Sequence, residues 1–268
     1  SLAGVISAIE RSVDPNQDGD ISDHLDIISL SLGANCGLIY SDVCGPDDPQ
    51  SQAIDNAVSA GVIAVVAAGN SGPNNSTIGS PGTARSAITV GATYKMDYNE
   101  QLWDPYPRKD QITVFSSRGP VKTVDDFFNK PDIVAPGALI CSSRFDSIYP
   151  EGAHKYYKPC FDDKHVQMAG TSMATPIVSG AAALMKQAHP DWTSLQIKKG
   201  IMKTAINLGQ PENYQGAGRL DILKAIELKE KPMLVAILTR GAINGLDIPI
   251  KGDISSNNLQ HYTLSYTK

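Results

Sequence analysis

Apolar runs of strand length alternate with stretches of helical spacing along most of the chain. Residues 1–13 (SLAGVISAIERSV) place Leu2, Val5, Ile6 and Ile9 on one face, the period of an amphipathic helix. Residues 26–32 (DIISLSL) read as a strand closed by Gly33, and residues 50–60 as a helix capped by Gly61. The run 62–68 (VIAVVAA) is continuously apolar and bounded by glycines, the signature of a parallel strand covered on both faces; residues 87–92 repeat it. Residues 172–188 carry Met173, Ala174, Ile177, Val178 and the apolar run 181–185 around nearly the whole circumference, which predicts a helix buried in a core. His189-Pro190 stops that helix, and Trp192-Thr193 opens another through Ala205. Strand and helix in alternation predict an α/β domain, a mostly parallel sheet flanked by helices.

Residues 94–164 are richer in polar residues, proline and aromatics, so long loops are expected there around short strands at 112–115 and 140–142. Helical spacing ends near Lys229. Beyond it, residues 232–268 alternate and carry turn signals at Asn244-Gly245 and Lys251-Gly252-Asp253, a β pattern. The expected organisation is one domain over 1–229. Residues 230–268 then form either a β extension packed on it or the first strands of a truncated β-domain.

With 41% hydrophobic and 19% charged residues the chain has the composition of a globular protein, not a disordered one. The net charge of −5 comes without any Lys/Arg run, which excludes a nucleic-acid footprint. No apolar stretch approaches the length of a membrane-spanning helix, so no membrane partner is expected. Residues 1–13 lack the basic start of a signal peptide and open within a helix, without an initiator Met, as a piece cut from a longer chain would. Four cysteines form two near pairs, Cys36/Cys44 and Cys141/Cys160, with no Cys-x-x-Cys spacing to suggest zinc. They are either two local disulfides, which would favour an oxidising, extracellular setting, or four reduced thiols.

The densest chemistry is Gly170-Thr171-Ser172-Met173-Ala174-Thr175-Pro176, where a glycine turn enters the alanine-rich helix. A serine there sits at the positive end of a helix dipole, among amides with no intrahelical partner. Such a site suits a nucleophile whose attack creates an oxyanion. Taken alone, Thr171 or Ser172 reads more readily as a plain N-cap.

Five segments in order resemble the subtilisin-like serine proteases: 26–33 (DIISLSLG), 65–72 (VVAAGNSG), 115–120 (FSSRGP), 131–137 (PDIVAPG) and 170–176 (GTSMATP). The resemblance covers about residues 1–228 and implies a peptide-bond hydrolase of α/β fold. It implies Ser172 as nucleophile of an acyl-enzyme and Asn70 as oxyanion donor beside the Ser172 amide. It further implies that Ser31, Leu32 and Gly33 line an extended peptide by strand addition, facing Ala67, Ala68 and Gly69 across a pocket floored by Gly79. Small uncharged walls there suggest tolerance of a large apolar side chain, and Ser80-Pro81 falls where the family often has a cis bond. On residue type alone, these glycines and Asn70 are also ordinary turn residues.

The family's acid and base precede its substrate-lining strand, in the order Asp, His, Ser. No matching Asp or His motif occurs, and His24, His154, His165, His189 and His261 do not fit the base position. In subtilisins, loss of the serine or the histidine costs about 10⁶ in turnover, so these residues alone are expected to be almost inactive. The resemblance thus implies a peptide or protein substrate and a partner, the N-terminal half of the peptidase domain. The alternatives are a pseudoprotease that binds peptide without cleaving it, and one chain of a two-chain enzyme.

Residues 14–23 (DPNQDGDISD) begin like an EF-hand loop, but Leu25 stands where its bidentate glutamate belongs. Asp14, Asn16, Asp18, Asp20 (through its carbonyl) and Asp23 are candidate ligands for a structural calcium ion; a solvated acidic turn is the alternative. Residues 144–164, rich in Tyr and Pro, are either a loop overhanging the cleft or an exposed insertion.

Overall fold

The computed structural model describes residues 2–36, 44–94, 110–123, 127–144, 162, 164–232, 237–240 and 250–253. Helix α1 (Leu2–Val13) leads into strand β1 (Ile27–Leu30), followed by α2 (Pro49–Ser59), β2 (Ile63–Ala67) and β3 (Ile88–Tyr94). Two short strands, β4 (Val121–Lys122) and β5 (Phe127–Phe128), pair as a hairpin before β6 (Ile133–Ala138). Strands β7 (Ile140–Ser143) and β8 (His165–Met168) pair antiparallel and deliver the chain to α3 (Thr171–Ala188) and α4 (Ser194–Lys203). Short helices α5 (Glu212–Gln215) and α6 (Ile222–Ile226) follow, and β9 (Ile237–Arg240) pairs antiparallel with β10 (Ile250–Asp253).

The central sheet runs β1-β2-β3-β6 and all its pairings are parallel. Its strands alternate their side chains between two faces. Val65, Val90 and Ile133 meet Ala174, Val178 and Met185 of α3 and Ile197 and Ile201 of α4. Ala64 and Val66 point the other way, toward Ile9 of α1 and Ile54 and Val58 of α2. The expected α/β fold is therefore present, with helices on both faces. Each Val, Ile or Met buried this way contributes about 1.5–3 kcal/mol.

Local chemistry sets the helix ends. Asp48 caps α2 by accepting from the Ser51 amide, with Pro49 at the first position. Thr193 and Gln196 form a capping box at the start of α4. Leu2, expected on the inner face of α1, is exposed, since that face begins only with Val5 and Ile9.

Three sequence expectations are corrected. Helix α3 is not covered all round: Ala174, Val178, Ala181 and Met185 are buried, but Ile177 is 37% exposed and Leu184 48%. The sheet covers only one side of the helix, and its apolar composition does not distinguish the sides. Residues 112–115 are not a strand. Ile112 makes a single bridge to Thr93, and the chain then turns, with the Ser116 amide donating to the Thr113 carbonyl. Lys251-Gly252-Asp253 is not a turn but part of β10, paired with β9 from Thr239 to Ile237.

At the N-terminal ends of β3 and β6, away from the glycine turns at the other end of the sheet, lies a buried ionic cluster. Lys130, 1% exposed, places Nζ 2.7 Å from Asp132 Oδ2 and 3.0 Å from the Ala87 carbonyl. Lys198 of α4 reaches Asp132 Oδ1 at 2.9 Å and the same carbonyl at 2.7 Å, while the Thr89 amide donates to Asp132 Oδ2. Burial pushes Lys130 down to about 7 against the pull of the Asp132 charge. Burial raises the Asp132 carboxyl, but Lys130 and Lys198 together hold it below its usual range.

Cys36 and Cys44 are joined in a disulfide, as one reading of the cysteine spacing expects. Cys141 is also disulfide-bonded; its expected partner, Cys160, lies outside the described residues. Of the loop expected at 144–164, residues 145–161 and 163 lie outside them too, as do His154, His261 and Asn244-Gly245.

Candidate active site

Three pieces of chain meet at the C-terminal end of the sheet, where open α/β sheets place their ligands. They are the turn after β2 with Gly69 and Asn70, the start of α3, and the exit of β1 through Ser31, Leu32 and Gly33. Gly69, at φ 105°, makes the turn, and a Cβ there would stand 2.9 Å from Ser117 Oγ. Its amide donates to Thr171 Oγ1 at 3.2 Å.

Gly170 is the N-cap of α3, so neither Thr171 nor Ser172 serves as the helix cap. Thr171 instead fixes Asn70. Its amide donates to Asn70 Oδ1 at 2.9 Å, and its hydroxyl donates to the same oxygen at 3.0 Å. A backbone N–H accepts nothing, so this pair assigns the amide orientation and turns Nδ2 outward. Asn70 Nδ2 and the Ser172 amide stand 3.4 and 3.7 Å from the point a Gly170 Cβ would occupy. Two donors therefore border the space beside Gly170, with Met173 Sδ at 3.6 Å from the same point.

Ser172, the second residue of α3, directs Oγ to the Ser31 carbonyl at 3.2 Å. Its own carbonyl accepts from Ser31 Oγ at 2.8 Å. The reason lies four residues on. Pro176 has no N–H to complete the helical bond to the Ser172 carbonyl, and Ser31 takes that acceptor. Sequence reading named Ser31 as substrate lining but missed this exchange, and missed Thr171 as the residue that aims Asn70. Counting back four from Pro176 would have revealed the freed carbonyl; nothing in the sequence pairs Thr171 with Asn70.

The described histidines engage elsewhere. His24 Nδ1 meets the Leu25 carbonyl, His165 pairs with Asp162, and His189 stacks on Trp192. Hydrogen bonding to His165 holds the Asp162 carboxyl below its usual value.

The expected substrate walls are brought together. Ser31, Leu32 and Gly33 are exposed along the β1 exit, and among the described residues no strand pairs with the outer edge of β1. Ala67 ends β2, and Ala68 is fully buried with its carbonyl accepting from the Gly79 amide at 3.0 Å. Ala34 and Ser80 pair antiparallel, N–H to O at 2.7 and 3.0 Å. Gly79 is thus gripped between the two walls, and a Cβ on it would stand 2.6 Å from the Ala34 carbonyl. Ser80-Pro81 is cis, as expected.

The acidic loop is folded onto itself. Asp14 accepts from the Asp18 and Gly19 amides, Asn16 from the Asp18 amide, and Asp18 from the Asp20 amide. The amide and hydroxyl of Ser22 hold the Asp20 carboxyl below its ordinary value. Asp23 lies in a short 3-10 turn. Oxygen donors of this kind suit calcium, but among the described residues no three His, Cys, Asp or Glu side chains converge as a metal cage.

Residues 1–218 match the profile of the subtilase family. The chain belongs to that family. It is 38% identical over 223 residues to serine protease AprX of Bacillus subtilis, covering 82% of this chain and 47% of that protein. To subtilisin E of the same species it is 32% identical over 209 residues, 77% of this chain and 42% of the relative. The chain thus spans less than half the length of these subtilases. Among solved structures, the prenylagaramide maturation protease PagA superposes with a TM-score of 0.59 at 24% identity, covering 85% of this chain and 67% of that one. That likeness supports the subtilase fold alone.

Proposed function

We propose that the chain carries the nucleophile and oxyanion-binding half of a serine endopeptidase. The observation that carries this reading is the Asn70–Thr171–Ser172 constellation, with both donors beside Gly170. In the proposed reaction Ser172 Oγ attacks the scissile carbonyl carbon and its proton passes to a base. The developing oxyanion takes hydrogen bonds from Asn70 Nδ2 and the Ser172 amide. Collapse expels the amine, which takes up that proton, and leaves an ester on Ser172; water then hydrolyses the ester. The exposed backbone at residues 31–33 pairs with the peptide, and the uncharged pocket around Gly79 accepts a large apolar side chain.

The base and its aspartate come, in this reading, from polypeptide outside residues 1–268. Three features support a docking place for it: the outer edge of β1, unpaired among the described residues, the exposed Ile177 and Leu184 of α3, and Leu32 at 42% exposure. A serine-directed fluorophosphonate, added with and without the preceding half of the peptidase domain, tests the proposal. Labelling at Ser172 only with that half is expected; no labelling even then would overturn it.

We further propose that the protein works outside the cell. The Cys36–Cys44 disulfide and relatives such as the minor extracellular protease Vpr of Bacillus subtilis support this. Among the described residues no helix is long and apolar enough to cross a membrane. Calcium at Asp14, Asn16, Asp18, Asp20 and Asp23 is a separate proposal, in which side-chain oxygens that accept loop amides use their remaining lone pairs for the ion. A melting temperature unchanged by chelator would refute it.

A further inference from the structure

We propose that the Cys36–Cys44 disulfide is a positioning element for substrate, holding the wall that begins at Ser31–Gly33 closed against Gly79. This rests on the peptidase reading above.

Cys36 lies two residues beyond Ala34, whose bridge to Ser80 closes one side of the expected pocket. Its side chain packs against buried Ala68, Ile78 and Val121, so it sits behind the opposite wall as well. The bonded Cys44 leads directly into a fixed frame. The Gly45 amide donates to Asp48 Oδ2 at 2.8 Å, and Asp48 uses its other oxygen to cap α2. From α2, Ser51 Oγ meets Thr83 Oγ1 at 3.0 Å, two residues after Pro81. A covalent and hydrogen-bonded circuit therefore runs from Ala34 through Cys36, Cys44, Asp48 and Ser51 to Thr83, and back through Ser80. With the disulfide cut, this wall loses its covalent tie to Cys44 and α2, and keeps the two Ala34–Ser80 bridge hydrogen bonds and the packing at residue 36.

None of these links includes Thr171, Asn70, Gly69 or Ser172, and Ser31, at the head of the wall, keeps its own two hydrogen bonds to Ser172 whether or not the disulfide is intact. Thr171, Asn70 and Gly69 are held by one another and by Ser117, and Ser172 by Ser31. Opening the circuit should therefore loosen peptide binding while leaving the reactivity of the serine in place. A plain stability staple would act differently, since it would weaken the whole domain together.

The test compares the chain with its Cys36→Ser/Cys44→Ser variant, using Cys141→Ser as a control for the other disulfide. Backbone amide exchange is read by NMR. The Ala34, Gly79 and Ser80 amides should exchange about tenfold faster in the double variant, with those of β2 and β3 unchanged. Cys141→Ser should leave all of them unchanged. In complex with the polypeptide that supplies the base, KM for an extended peptide should rise about tenfold while kcat and the fluorophosphonate labelling rate stay within about twofold. Unchanged exchange at Ala34 and Ser80, or acceleration shared equally by β2, would overturn the proposal. Loss of labelling in step with peptide cleavage would do the same. If the parent complex never labels, the peptidase reading falls, and the exchange result still decides whether the disulfide holds this wall.

Discussion

Replacing Lys130 by methionine removes a buried amine, keeps most of the stem's packing, and leaves Asp132 paired with Lys198 and the Thr89 amide. The unfolded chain holds the lysine proton up to about pH 10.5, whereas burial lowers the folded value to about 7. Between these values the unfolded state binds more protons, so raising the pH favours the fold. The contribution is complete above the unfolded value and is lost as pH falls toward the folded one. Integrating that linkage from pH 7 to pH 9 gives a gain of about 2 kcal/mol from this one group. Asp132, whose carboxyl is lowered, acts in acid and outside this window. Urea unfolding followed by circular dichroism at pH 7, 8 and 9 should show the stability difference between wild type and Lys130→Met growing by about that amount. Titrations of groups outside the Lys130–Asp132–Lys198 cluster are common to both proteins and cancel, and so does the fixed effect of the substitution. Parallel curves would refute the assignment of Lys130 as an amine destabilised in its charged form.

Two further substitutions test the site. Thr171→Val removes the hydroxyl that donates to Asn70 Oδ1 but keeps the amide that does the same, so about tenfold in kcat should be lost with KM nearly unchanged. A change confined to KM in steady-state assays of the complete peptidase would contradict that role. Gly79→Ala forces a methyl against the Ala34 carbonyl, with an expected loss of about 1–3 kcal/mol in chemical unfolding. An unaffected midpoint would mean that the two walls are not locked at Gly79.

The sheet was legible because burial on both faces leaves a continuous apolar run, as in residues 62–68, and glycines mark where such a run ends. That Asn70 and Ser172 belong to one site was legible through resemblance, since each stands in a distinctive motif, and the structure places both beside Gly170. What escaped were relations between distant segments. Local spacing contains nothing that brings Thr171 to Asn70 or Ser31 to the Ser172 carbonyl, because those contacts depend on how β1, β2 and α3 are stacked. The error at α3 has the same origin. An alanine-rich helix looks alike on every side, and only the sheet's position decides which side is covered. The short apolar run at 112–115 failed as a strand because a turn at Thr113–Ser116 takes the hydrogen bond that a ladder would need.

The two halves of the chemistry differ in what they need from elsewhere. Among the described residues, the contacts around the two proposed oxyanion donors run from Gly69 to Thr171, from Thr171 to Asn70, and from Ser31 to the carbonyl that Pro176 leaves free. That half is organised before any base arrives. The proposed nucleophile is organised differently, because Ser172 Oγ donates to a backbone carbonyl, which orients the hydroxyl but cannot take its proton. A base entering beside the open edge of β1 would have to displace the Ser31 carbonyl as the acceptor for Oγ, while Ser31 Oγ keeps its hold on the Ser172 backbone. In the proposed reading Ser31 would therefore serve both arrangements, its hydroxyl holding the Ser172 backbone while its carbonyl yields Oγ to the base.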